Sequence, residues 1–155
     1  MFCILGTPVL ILGIAWVWPV FNEMKRAAAF GTVSSFVRLA QRNPPEVNAT
    51  DRWRKLDHRE FLKWYERWEE EVDKNGSRVS SDGRVLNPWG GGYQLAYRKG
   101  KDGEVAFVVW TNGADGRSGT ADDVSKMTSG LKVGDVDVRA SLVRDGVWEE
   151  LTIEN

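Results

Sequence analysis

The chain is short of the residues that most often announce chemistry. Its 155 residues contain one cysteine, Cys3, and one histidine, His58. A single cysteine closes no internal disulfide, and a lone imidazole builds neither a His-rich metal site nor a nucleophile and base pair. An excess of charge is missing too: 21 Lys plus Arg stand against 22 Asp plus Glu, a net charge of −1. That balance gives no electrostatic ground for a nucleic-acid partner. No internal repeat or long low-complexity tract is present, which argues against a repeat architecture. The length sets one domain as the expectation, large enough to bury a core. The eight tryptophans read first as core filler, with a sugar- or peptide-stacking platform as the alternative.

What the N-terminus lacks is charge. Residues 1–21, MFCILGTPVLILGIAWVWPVF, carry no charged side chain, and about 20 helical residues cross a bilayer core of roughly 30 Å. Trp16 and Trp18 near the end of the run, with Lys25 and Arg26 just beyond, suit a membrane interface. We expect a single membrane-spanning helix. A cleaved signal peptide and a buried soluble helix are the alternatives, the former lacking a basic n-region and a clean small-x-small cleavage site. Pro8 and Pro19 are tolerated in membrane helices, and Pro19 predicts a kink.

Beyond the apolar run, NEMKRAAAFGTVSSFVRLAQR continues as a helix with Phe30, Val33, Val37 and Ala40 on one face, until NPPE stops it. Residues 1–42 therefore read as the N-terminal transmembrane or filament-core helix, and residues 43–155 as a globular α+β domain. A second helix is expected from Asp57 to about Lys74, burying Phe61, Trp64, Tyr65, Trp68 and Val72. His58 near its start reads as solvated or capping. From residue 80 onward Asp-Gly, Asn-Pro and Gly-Gly-Gly mark turns, and YQLAYR and EVAFVVW read as paired strands around KGKDG. DVDVRASLV and VWEELTI around RDG predict a C-terminal hairpin within 131–155.

The segment 111–126 carries the densest chemistry. TNGADGRSGTADDV places Asp115, Thr120, Asp122 and Asp123 in a stretch almost without apolar side chains. A loop folding back on itself would aim three carboxylates at one point, where they repel unless a cation neutralises them. Calcium suits such a loop, because it takes six to eight oxygens in an irregular cage, whereas magnesium demands a near-ideal octahedron. Gly113, Gly116 and Gly119 supply the conformational freedom for the reversal. EF-hand spacing is absent. The alternative is a polar surface loop with an Asx-turn at Asp115 and an N-cap at Asp122 or Asp123 for a short following helix.

NPWGGGYQLAY, a strand pair, and then WTNGADGRSGTADDV together resemble the double motif of the type II secretion major pseudopilins, the general secretion pathway protein G family. Members of that family read D-P-W-G-N-P-Y followed by S-x-G-x-D-G-x-x-G-x-x-D-D-[IV]. The resemblance covers Leu86 to Lys126. It implies a pilin-like α+β fold, with a long N-terminal helix, half in the membrane and later in a filament core, and a periplasmic domain with a Ca2+ loop. It implies Asp115, Thr120, Asp122 and Asp123 as side-chain ligands, with main-chain oxygens from Asn112 and Lys126. Asn87, Pro88, Trp89, Gly90 and Tyr93 match the structural turn, with Asn87 in place of the usual aspartate and Gly91-Gly92 in place of Asn-Pro.

The N-terminus departs from the pattern. Family members carry a basic leader, a cleaved glycine, a phenylalanine, and a glutamate at the fifth mature position. Here Gly6 is followed by TPVLI, and the first acidic residue is Glu23. Either a start further upstream supplies the leader, or the protein has kept the domain and left the polymer. The expected function is a non-enzymatic, calcium-stabilised subunit of a type II secretion pseudopilus. It would be anchored in the inner membrane with its domain in the periplasm, and partnered by itself, other pseudopilins and the secretion platform. A non-polymerising, membrane-tethered calcium-binding module is the alternative.

Overall fold

A computed structural model describes residues 7–46, 52–72, 78–99, 105–118, 120, 122–128 and 136–148. Side chains are described within these ranges except for 7–16, 69–72, 136, 137 and 139. The elements run α1 (Thr7–Arg42), β1 (Arg54–Lys55), α2 (His58–Val72), β2 (Tyr93–Lys99), β3 (Val105–Thr111), β4 (Val124–Met127) and α3 (Val136–Arg144). The four strands form one antiparallel sheet in the order β1-β2-β3-β4.

Helix α1 is a single helix with Pro19 inside it. Its C-terminal half buries Ala29, Val33, Phe36, Val37, Leu39 and Ala40 against the sheet and α2, a stripe at the three- and four-residue steps of a helix face. Phe30, expected on that face, lies half out of it, 52% exposed, with the Lys126 ammonium 5.4 Å from its ring centroid. The N-terminal half differs: Val17, Trp18, Val20, Phe21 and Met24 are all exposed. Among the described residues no helix is long and apolar enough to cross a membrane. Most of the apolar run expected as a span lies at residues whose side chains are outside that description.

Asp57 caps α2. Its Oδ1 accepts the N–H groups of Arg59 and Glu60 at 2.8 Å each, while Glu60 Oε2 accepts the Asp57 N–H at 3.2 Å. This reciprocal pairing satisfies donors that the first turn leaves open. The capping role that the sequence offers to His58 thus belongs to its neighbour. The Glu60 N–H, the largest influence, helps hold the Asp57 carboxyl below its ordinary value. Phe61, Trp64 and Tyr65 are buried as expected, and Trp64 Nε1 donates to the Asn43 carbonyl at the end of α1 (2.8 Å).

Strands β2 and β3 pair over their full length, Tyr93 opposite Thr111 through Lys99 opposite Val105. Alternation sends Tyr93, Leu95, Tyr97, Phe107 and Val109 into the core with α1 and α2, and Ala96, Val108 and Trp110 to the other face. That second face is covered too, which is why VAFVVW is an unbroken apolar run rather than an alternating one. Its cover is α3, in place of the expected hairpin strand. Val138 and Leu142, four residues apart, face the sheet with Trp53, Trp110 and Trp148. The RDG signal is a helix C-terminus: Gly146 has φ 72°, its N–H reaches the Val143 carbonyl (2.9 Å), and the Val147 N–H reaches that of Leu142 (2.9 Å). These two bonds and the left-handed glycine end a helix rather than turn a hairpin. The rest of the expected hairpin, 131–135 and 149–155, lies outside the described residues, as does the KGKDG loop except for Lys99.

Candidate metal centre

The loop leaves β3 at Thr111 and returns as β4 at Val124. Its mouth is held by Asn87, which is 6% exposed. Asn87 Oδ1 accepts the N–H groups of Trp89 (2.8 Å) and Gly91 (3.0 Å), which turns Nδ2 toward the Thr111 hydroxyl and the Asn112 carbonyl (3.2 Å). The turn formed by Asn87, Pro88, Trp89 and Gly90 closes through Gly90 N–H to the Asn87 carbonyl (3.0 Å), with Gly90 at φ 89°. Tyr93 then donates its N–H to the Val85 carbonyl (2.9 Å). An aspartate at position 87 has no hydrogen to offer Thr111 or Asn112, so the amide found here suits the mouth as built.

Inside the loop, Asn112 Nδ2 donates to the Gly116 carbonyl (2.8 Å), and its Oδ1 accepts from Ser118 (3.0 Å) and Gln94 (3.4 Å). Asp115 Oδ1 accepts the Arg117 N–H (2.8 Å), the Asx-turn of the sequence reading, with Gly116 at φ 70°. The return leg packs carboxylates on the outgoing backbone. Asp122 Oδ2 accepts the Asp115 N–H (3.2 Å), and Asp123 Oδ1 accepts the Gly113 N–H (3.3 Å). Gly113 is required for space: a Cβ there would overlap both the Asp122 carboxylate and its main-chain oxygen. A strand follows Asp123, not the short helix of the surface-loop alternative.

All three acids meet at Thr120. Its hydroxyl stands 2.7 Å from Asp122 Oδ1, 3.3 Å from Asp115 Oδ1, 3.4 Å from Asp123 Oδ1 and 3.2 Å from the Arg117 carbonyl. One hydroxyl has one proton. It serves Asp122, the nearest, while Asp115 Oδ1 and Asp123 Oδ1 accept main-chain N–H groups. Burial pushes the Asp122 carboxyl up, but the Thr120 hydroxyl and the Asp115 N–H outweigh it and hold the group below its ordinary range.

Among the described residues, no three or more of histidine, cysteine, aspartate and glutamate form a group that could hold a metal ion; what the three acids share is the Thr120 hydroxyl. In kind, the donors fit a hard cation: oxygen only, with three carboxylates among them. Asp115, Thr120, Asp122 and Asp123 are the residues that would hold it. Asn112 and Lys126 are expected to contribute only main-chain oxygens. The Asn112 carbonyl already accepts the Asn87 amide. Lys126 lies in β4 opposite Val109, and its ammonium reaches Ser34 on α1 (3.2 Å). Ser118 and Gln94 carry no signal in the sequence; both are ordinary polar residues whose part depends on where Asn112 points.

A cleft of about 560 Å³ opens beside the loop, bordered by Asp57 and His58, by Arg84, by Tyr93, and by Asn112 and Gly116. No family model matches the chain, and neither does any curated protein or solved structure.

Proposed function

We propose that this protein is a non-catalytic structural subunit of a type II secretion pseudopilus, stabilised by Ca2+ in the loop 111–126 and assembling through α1. The reading is carried by the meeting of Asp115, Asp122 and Asp123 at the Thr120 hydroxyl, within the stretch that resembles the major pseudopilins. A long helix with its second half seated and with Val17, Trp18, Val20, Phe21 and Met24 exposed before it supports assembly, since contiguous exposed apolar surface marks a protein or membrane contact. In this reading α1 anchors the chain in the inner membrane, the domain lies in the periplasm, and copies associate along α1 with other pseudopilins and the secretion platform. The ion joins loop segments that otherwise repel and so fixes the surface a neighbouring copy meets.

Binding to the folded state alone stabilises it by RT ln(1 + [L]/Kd), about 2.7 kcal/mol at a hundredfold excess over Kd. Titration of the full chain in mild detergent with calcium chloride should give saturable heat and a raised unfolding midpoint, both reversed by EGTA. Asp123→Ala should lose both. Absence of heat, or undiminished binding in the variant, would refute the ligand assignment. The second reading, a tethered calcium module that does not polymerise, is favoured by the absence of a carboxylate before Glu23. Negative-stain microscopy separates the two: calcium-dependent filaments support the first, and calcium binding by a protein that stays monomeric supports the second.

A further inference from the structure

We propose that the 560 Å³ cleft beside the loop is a binding site for a carboxylate carried on an apolar, aromatic-sized body, the chemistry of a peptide's C-terminal residue or of a free aryl-alkyl acid. Its size falls within the usual range for small-ligand sites, which pair an apolar wall with a few placed polar groups. The wall comes from Leu56, Phe61 and Tyr93, residues of the core that also border the opening.

The anion-recognising group is Arg84. Its stem lies along Gly92, where a Cβ would stand 3.6 Å from Arg84 Cδ, and its Nε is held by Asp82 Oδ2 at 2.8 Å. One of five guanidinium N–H groups is thereby engaged, and the planar terminal N–H groups match a carboxylate in fork geometry. Asp82 stays ionised to hold it, because the Ser80 hydroxyl first and the Arg84 side chain second lower its carboxyl to about 2. The acid that borders the cleft, Asp57, has its Oδ1 directed to the N–H groups of Arg59 and Glu60, which blunts its opposition to a second carboxylate. His58 on the rim adds a further hydrogen-bonding group. Gly91 and Gly92 also border the cleft.

Because Asn112 and Gly116 of the loop border the cleft, the test is run in EGTA to keep calcium binding out of the readout. The full chain in mild detergent is titrated with N-acetyl-L-phenylalanine, with its uncharged amide, and with the peptide Ala-Ala-Gly-Phe, while main-chain amide resonances are followed. We expect saturable binding of the acids, with the uncharged amide weaker by about tenfold, the scale of one hydrogen bond to a charged group. The signals of Gly91, Gly92 and Tyr93 should move. Arg84→Gln should bring acid and amide to within about twofold of each other. Tighter binding of the tetrapeptide assigns the site to a peptide end, and tighter binding of the single residue assigns it to a free acid. Equal affinity of acid and amide in the native chain, no saturation by any probe, or shifts confined to residues 17–24 of α1 would overturn the proposal. Because the acid-to-amide ratio is measured on the native chain, it separates these outcomes even if Arg84→Gln folds poorly.

Discussion

The two faces of the sheet are covered by different means. On the first, α1 and α2 interdigitate apolar side chains around Phe36. Its ring lies 5.3 Å from Phe61, 6.1 Å from Trp64, 5.8 Å from Tyr65 and 5.3 Å from Tyr93, edge-on or tilted in every pair. On the second, the nine-residue α3 is tied down by polar contacts to Trp53. Trp53 Nε1 donates to Ser141 (3.0 Å), and its main-chain N–H donates to Asp145 Oδ2 (2.9 Å). A helix that short is unstable alone, and its small apolar face leaves its position underdetermined. The difference teaches that apolar area fixes the long helices, while directed hydrogen bonds fix the short one.

The sharpest break of that comparison is Phe36→Ala. Removing a fully buried ring at the centre of four aromatic partners should cost about 3–5 kcal/mol, a large part of the roughly 5–15 kcal/mol typical of a domain. Chemical denaturation should show one cooperative loss in which both faces unfold together. Leu142→Ala, on the second face and also fully buried, should cost about 2–5 kcal/mol. Its signature should differ: hydrogen exchange should speed first in α3 while β2 and β3 keep their protection. Uniform loss of protection would mean that the second face is as integral as the first.

Legibility in the sequence follows the same division. The seated half of α1, α2 and the β2–β3 pair can be read because each repeats its period over several turns or residues. Strands β1 and β4, of two and four residues, are too short to show a period. Helix α3 reads as a hairpin because V-D-V-R alternates like a strand and Asp-Gly is a common hairpin turn; Val138 and Leu142 at a four-residue step are the opposing signal. In the loop, the spacing of Asp115, Asp122 and Asp123 points to the acids, and their convergence requires the backbone reversal. The sequence presents Gly113 as a conformational need, but its reason is the Asp122 carboxylate packed on it. Arg84 and the cleft are invisible there, since their partners are spread from Leu56 to Gly116 and share no local pattern.

A smaller effect tests whether the clasp on the second face is polar in origin. Ser141 accepts from Trp53 Nε1 and donates to the Val138 carbonyl at 2.7 Å. Two other indoles in the same cluster, Trp110 and Trp148, have buried N–H groups without a partner among the described residues. Ser141→Ala would orphan a third, which should cost about 1–3 kcal/mol. Trp53→Phe in the Ser141→Ala background should restore part of that loss by removing the stranded donor. If the two changes add without any recovery, the hydrogen bond is not what positions α3.

The least perturbing test is pH. The Asp145 side chain is 3% exposed, and burial alone pushes its carboxyl up. The Trp53 N–H and the Arg144 side chain outweigh that and hold it below the ordinary value. A carboxyl depressed in the folded state stabilises the fold fully above the unfolded value of about 3.9, and the contribution is lost as pH falls through the lower folded value. Exchange protection of α3 should therefore be flat from neutral pH down to about 5 and fall below about 4. Asp145→Asn keeps an acceptor for the Trp53 N–H but no longer titrates, so its α3 should show a shallower acid slope. Among the described residues, the centre of the first face is aromatic, with Phe36, Phe61 and Tyr93 packed there. Slow-exchanging amides of β2 and β3 should follow global unfolding while α3 releases earlier. Parallel acid slopes for the two faces, or an unchanged slope in Asp145→Asn, would show that the carboxylate is not the clasp.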